Sequence, residues 1–271
     1  MGFTSNYSLK WCSLTFFIIF LRIKNLLADE IIDKDYFGEY PWERSGKFEG
    51  DIIAMDDNAI SVRNAVSSKA RLWPNGTIPY LIDPKFESQH VAALLEVFDA
   101  FEEKTCINFR PKKRNDQHWI YIVTEKFGCF THVGLIPALR EHKVNLDKEN
   151  CIVRGTIIHE LMHVLGFYHQ QSTTNRDDYV DILWDNIKPE TFINFSKYNS
   201  NKVNDLNFDY DYASVMHYSM RAFAKNRNLI TIMPLKSNVI IGQRNDFSAI
   251  DILKIRARYN EECYGKKNLN E

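Results

Sequence analysis

An excess of charge of either sign is missing from this sequence of 271 residues: 34 Lys and Arg stand against 35 Asp and Glu, a net charge of −1. That balance gives no electrostatic reason to expect nucleic acid or an anionic membrane as partner. A membrane-length apolar run is missing as well. The stretch Trp11 to Leu21 falls short of the ~20 residues a bilayer span needs, so no stable membrane insertion is expected. There is no internal repeat and no low-complexity segment, which excludes solenoid and compositionally biased architectures. The chain is too long for a mini-protein and short for two large domains, so one main domain with appendages is expected.

The N-terminus carries the first positive signal. Lys10, the apolar run and the small Ala28 follow the order of a secretory signal peptide, read here as residues 1–28. Arg22 and Lys24 lie between the run and Ala28 and blur the cleavage point, and a buried N-terminal helix is the competing reading. Of the five cysteines, Cys12 would leave with the signal. Cys106, Cys129, Cys151 and Cys263 remain, an even number suited to two disulfides in an oxidising compartment, with three pairings open. Asn75-Gly-Thr77 and Asn194-Phe-Ser196 are N-glycosylation sequons if the chain enters the secretory path. A secreted, extracellular protein is expected. Residues 29–63, rich in Asp and Glu and without a sustained period, read as a pro-segment, or else as an acidic arm.

Further on, Leu72-Trp-Pro-Asn-Gly-Thr-Ile-Pro-Tyr80 puts a turn before a strand. Val91, Leu94, Leu95, Phe98 and Phe101 recur at helical spacing and predict an amphipathic helix ending near Cys106. Trp119 to Thr124 predicts a short strand, and Ile157 to Phe167 a second helix. Ser248 and Asp251 form a capping box that opens a last helix reaching about Tyr259. Long helices, short strands and irregular stretches together indicate an α+β domain.

The chemistry is concentrated in His159-Glu-Leu-Met-His-Val-Leu-Gly-Phe-Tyr-His169. On a helix, His159 and His163 lie one turn apart on one face, so both imidazoles can reach a single ion at ~2.0–2.1 Å. Glu160, one residue round, can approach a water at the ion and not the ion itself. Gly166 tolerates a left-handed backbone and ends helices, which lets the chain return His169 to the same point. Three neutral nitrogens leave a position open, the mark of a catalytic zinc site. Zinc makes water a nucleophile near neutral pH, and Glu160 as general base can pass its proton to the leaving amine. One Zn2+ per subunit is expected. The competing reading, a set of satisfied structural histidines, suits a bare His-Glu-x-x-His but loses force once Gly166 and His169 are added; it is the better reading for the isolated His118 and His132.

With Ser214-Val-Met216-His-Tyr218 downstream, the string resembles the signature of the astacin family of metzincin zinc endopeptidases. The resemblance covers residues 64 to 263, with Leu72–Tyr80 and Arg176-Asp-Asp-Tyr-Val180 as supporting segments. It implies a two-lobed domain at 64–266 with a twisted sheet, a zinc-binding active-site helix and a C-terminal helix, followed by a short tail at 267–271. Met216 would lie in a tight turn beneath the metal. Tyr218 would be a further zinc ligand in the resting enzyme and the oxyanion stabiliser during catalysis. The implied disulfides are Cys106–Cys263 and Cys129–Cys151. The strand Trp119 to Thr124 would be the edge that receives substrate backbone.

Phe48-Glu-Gly-Asp51 resembles the family's pro-segment motif, which assigns Asp51 to the zinc in a latent precursor. Activation by a trypsin-like protease is expected after Arg63, with Lys69 and Arg71 as rival sites. Ile241-Gly-Gln-Arg244 resembles the lining of the pocket beyond the scissile bond, where Arg244 would favour acidic residues of a protein or peptide substrate. A single-domain member is expected. One position departs from the family: Gln170 replaces the Glu that pairs with the mature N-terminus. Two other functions fit parts of the pattern. A non-cleaving binding protein would be expected to lack Glu160, and a hydrolase of non-peptide amides does not account for the Met-turn.

Overall fold

The computed structural model describes residues 41, 43, 45–54, 71–198, 206 and 208–264. The expected signal peptide, the tail at 267–271 and the cleavage points at Arg63 and Lys69 lie outside the described residues. Arg71 lies inside them, with its carbonyl accepting from Leu135 N (2.9 Å) and its guanidinium donating to Val133 O (3.4 Å).

A turn at Pro74–Gly76, with Asn75 and Gly76 both at positive φ, feeds strand β1 (Thr77–Ile82) as the Asn-Gly pair predicts. Helix α1 (Ser88–Lys104) buries Leu94, Phe98 and Phe101 as their spacing predicts, but it turns Val97 and Ala100 inward in place of the expected Leu95, which is exposed, and leaves Val91 half-buried. Four short strands follow or flank it: β2 (Asn108–Pro111), β3 (Trp119–Val123), β4 (Cys129–Thr131) and β5 (Glu141–Leu146). The sheet order is β2-β1-β3-β5-β4, with β4 antiparallel to β5 and the other pairs parallel. Trp119–Val123 is therefore an interior strand, contrary to the expected edge. Its Ile120, Ile122 and Val123 are fully buried because neighbours flank it on both sides. The edges are β2 and β4, and Thr131 at the end of β4 bridges to Ile52.

Helix α2 (Arg154–Val164) is buried along nearly its whole length, and β6 (Val180–Ile182) pairs with β7 (Ile232–Pro234). Helix α3 (Ala249–Arg258) opens on the predicted Ser248–Asp251 capping box, and the short α4 (Asn260–Tyr264) follows. Among the described residues two larger apolar cores result, with a small third cluster at Ile52 and Val133. One joins the sheet, α1, α2 and α3 through residues such as Phe101, Ile122, Leu161 and Ile255. The other lies after α2 and holds Val180, Phe195, Tyr218, Phe223 and Ile232. The disulfides are Cys106–Cys263 and Cys129–Cys151, each with Cα atoms 5.8 Å apart. Among the described residues no helix is long and apolar enough to cross a membrane.

Candidate metal centre

The site begins with the way α2 ends. Gly166 sits at φ +97°, a conformation that only glycine adopts without strain. Its N–H returns to His163 O (2.8 Å) and that of Phe167 to Met162 O (3.1 Å), which closes the helix and redirects the chain. Phe167 O then accepts from Nδ1 of His163 (2.7 Å), so the turn itself orients the second histidine. Three residues later His169 faces the helix.

His159, His163, His169 and Asp51 offer one donor atom each within 4.8 Å of one another, and all four are buried. The Asp51 carboxylate lies 3.1 Å from Nε2 of His159 and of His169 and 3.4 Å from Nε2 of His163; the Nε2 atoms of His159 and His169 are 3.3 Å apart. Donors at ~2.0–2.1 Å from a tetrahedral ion stand about 3.3–3.4 Å from each other, so the spacing suits zinc. Tautomers agree. Nδ1 of His159 donates to Val215 O (2.8 Å), Nδ1 of His163 to Phe167 O, and Nδ1 of His169 to the Glu49 carboxylate (2.7 Å). Each imidazole thus turns its Nε2 inward and can offer that lone pair to a metal, the arrangement in which a second partner fixes a metal-binding histidine. Nε2 of His163 and Oδ1 of Asp51 are buried with no hydrogen-bond partner, as expected of atoms whose partner is a cation.

The electrostatics follow from burial and from the crowd of imidazoles. Burial acts to raise Asp51, but His169 and His163 outweigh it and hold the carboxyl well below its ordinary value. Burial, then the Arg244 charge, pushes His159 down to about 3. Burial lowers His169 too, yet Asp51 and Glu49 lift it to about 9. Glu160 is buried beside the cluster with Oε2 unpartnered; burial first and Asp51 second raise its pKa well above the usual carboxylate value, and Arg244 opposes them.

Met216 is buried in a turn whose carbonyl accepts from Gln170 N (3.0 Å). Asp251 of α3 holds that turn, accepting from Ser214 Oγ (2.6 Å) and Val215 N (2.9 Å). Tyr218 is not one of the four grouped donors; its hydroxyl donates to Glu49 O (2.5 Å). Arg244 is half-buried against the Met-turn, donating to His217 O (3.0 Å). Asn75 is exposed, but Asn194 is buried and its Oδ1 accepts from Glu49 N (3.0 Å). A sequon is a local pattern and burial is not, so the expectation of a glycan on Asn194 is withdrawn. Gln170 also has a partner that the sequence did not suggest, Lys254 Nζ at 2.7 Å.

Sequence reasoning missed Glu49, Tyr198, Ser172 and Asp251 as members of the site. Glu49 alone had a signal, its place in the motif that singled out Asp51.

Residues 65–260 match the family described as Astacin, a peptidase family. The chain is 40% identical over 230 residues to Zinc metalloproteinase nas-13 of Caenorhabditis elegans, covering 79% of this chain and 50% of that protein. It is 38% identical to Meprin A subunit alpha of Mus musculus, over 79% of this chain and 27% of that protein. Among solved structures, High choriolytic enzyme 1, a hatching enzyme zinc-protease from Oryzias latipes, superposes with a TM-score of 0.66 at 37% identity, covering 71% of this chain and 96% of that one. Myroilysin shares the fold at 17% identity and a TM-score of 0.52. The chain belongs to the astacin family, and its centre is a one-zinc site of that family. It spans about half the length of the first curated relatives it matches.

Proposed function

We propose that the chain is a secreted zinc endopeptidase, synthesised as a latent precursor in which Asp51 blocks the metal centre. The observation that carries the reading is Asp51 lying across three inward Nε2 atoms with Glu160 beside it. Zinc, when bound, lowers the pKa of water towards ~7 and polarises the scissile carbonyl. Glu160 takes the proton from that water and hands it to the leaving amine; its buried position keeps the proton within the site. Tyr218 donates to a backbone carbonyl in the cleft, Glu49 O, and the same hydroxyl can meet the oxyanion of a substrate carbonyl. The free edge of β4 is suited to pair with substrate backbone once Ile52 leaves Thr131. Asp51 accounts for latency, and a trypsin-like protease that cuts before the docked Arg71 accounts for release.

A cleavage assay on a peptide library tests this, using processed protein beside Glu160→Ala and His163→Ala. Glu160→Ala should keep zinc and lose cleavage by about 100-fold or more, since it removes the base alone. His163→Ala should lose the metal. Cleavage by Glu160→Ala at the wild-type rate would overturn the mechanism. Unprocessed Asp51→Ala should cleave where the unprocessed wild type does not.

A further inference from the structure

The side chain of Glu49, two residues before Asp51, has no part in the mechanism above, yet every polar group the residue carries is bound. Its carboxylate accepts from Tyr198 Oη (2.5 Å), Ser172 Oγ (3.4 Å) and Nδ1 of His169 (2.7 Å). Its N–H donates to Asn194 Oδ1 (3.0 Å) and its carbonyl accepts from Tyr218 Oη (2.5 Å). The residue is fully buried and sits at φ +48°, a left-handed backbone that non-glycine residues seldom adopt. A strained, buried carboxylate persists only where its surroundings hold it. We propose that Tyr198, Ser172 and Nδ1 of His169 form a carboxylate-binding pocket beside the metal centre, and that Glu49 fills it as a second anchor of the pro-segment, distinct from Asp51.

The two carboxylates divide the work. Asp51 lies on the inward Nε2 atoms; Glu49 binds the outward Nδ1 of His169 and thereby fixes that ring from behind. Through its carbonyl Glu49 also holds Tyr218, the oxyanion donor, on the pro-segment. Two of the pocket's three donors, Ser172 and Tyr198, come from the chain after α2 and carry no part of the zinc string; the third, Nδ1 of His169, belongs to it. The inference rests on the latency reading of Asp51, but its test does not depend on catalysis.

The full-length protein carrying Glu160→Gln, in which self-cleavage plays no part, is compared with the same protein bearing Glu49→Gln, Tyr198→Phe or both. Amide hydrogen exchange is read at Ile52 and Ile53, which donate to Phe48 O (2.9 Å) and Thr131 O (2.8 Å). Amides of β3 and β5 report whether the domain is folded. Glu49→Gln should speed exchange at Ile52 and Ile53 at least about fivefold, since a lost charge-assisted bond is commonly worth about tenfold. Tyr198→Phe should have a smaller effect that disappears in the Glu49→Gln background. A change below about fivefold, or a Tyr198 effect of equal size in both backgrounds, overturns the proposal. Should Glu49→Gln lose protection in β3 and β5, Tyr198→Phe and Ser172→Ala singly decide by whether Ile52 and Ile53 exchange faster than wild type. Latency itself is read separately, as cleavage by unprocessed Asp51→Ala, so the two ideas fail independently.

Discussion

Gly155→Ala tests how closely the segment of Arg244 must seat against the zinc helix. Gly155 is the second residue of α2, where alanine is ordinarily the better helix former by up to ~1 kcal/mol. Here a Cβ would stand 2.1 Å from both the carbonyl carbon and oxygen of Arg244 and 2.6 Å from its Cα. Those are backbone atoms, so no rotamer change relieves the clash; the helix and the 244 segment must part by an ångström or more. Overpacking of this kind costs about 1–3 kcal/mol, which exceeds the propensity gain. A net loss of about 1–2 kcal/mol in a domain of this size corresponds to a Tm fall of roughly 2–8 °C. Arg244 donates to His217 O, next to Met216 and Tyr218, so the displacement reaches the Met-turn. Activity should fall further than stability, with weaker zinc retention. Calorimetry, zinc titration and kcat/KM on processed protein read the three effects. A variant as stable as wild type, or more so, with unchanged kcat/KM would refute the reasoning.

Arg244→Ala should erase a preference for Asp or Glu over Ala just beyond the scissile bond; a wild-type library profile with no acidic preference would sink the assignment. His142 is buried and accepts from Ile136 N (2.8 Å), and burial, then His132, pushes its pKa from 6.5 down to about 4. A depressed histidine stabilises the fold above its unfolded pKa, and the contribution disappears as pH falls from 6.5 to about 4. Urea unfolding should therefore show an acid loss of order 1–3 kcal/mol that His142→Gln flattens; parallel profiles for the two proteins would count against it. Lys254, itself half-buried, already supplies the buried Gln170 with a partner, so processed forms that start a few residues either side of Asn64 should melt alike. Lys254→Met should destabilise all of them by the ~1–3 kcal/mol of a stranded amide oxygen, read as a lower Tm, whereas a sharp optimum at one start residue in the wild type would show that the terminus itself is the partner.

What the sequence made legible was local. The zinc string works because two histidines share a helix face and a glycine allows the third to return, and both conditions lie within eleven residues. Part of the face of α1, Leu94, Phe98 and Phe101, and the Ser248–Asp251 cap were legible for the same reason, whereas Leu95 is exposed and Val97 took its place. What was not legible depends on partners far along the chain. Trp119–Val123 became interior because β1 and β5 flank it, and the actual edges, Asn108–Pro111 and Cys129–Thr131, are too short to show a period. Asn194 carries a valid sequon whose side chain folds inward, and Gln170 meets a lysine 84 positions away. Glu49 was passed over because an acidic residue in an acidic stretch reads as solvated until its three donors are seen.

The non-local part also explains why the string is not by itself a site. His159 can turn its Nε2 to the metal only while Nδ1 is held, and the holder is Val215 O. Val215 is in turn pinned by Asp251 through its N–H, and Ser214 by the same carboxylate. Asp251 is also the third-position member of the capping box of α3, accepting from N of the N-cap Ser248 (3.0 Å). One buried carboxylate therefore links the start of α3 to the tautomer of the first zinc histidine. The third histidine reaches the same turn by another path, because Gln170 N, one residue on, donates to Met216 O. Two of the three ligands are thus registered against a single turn, and only His163 is oriented from within its own helix end. Errors in the Met-turn must move His159 and His169 together and leave His163 in place, a distortion that opens the donor triangle without unfolding α2.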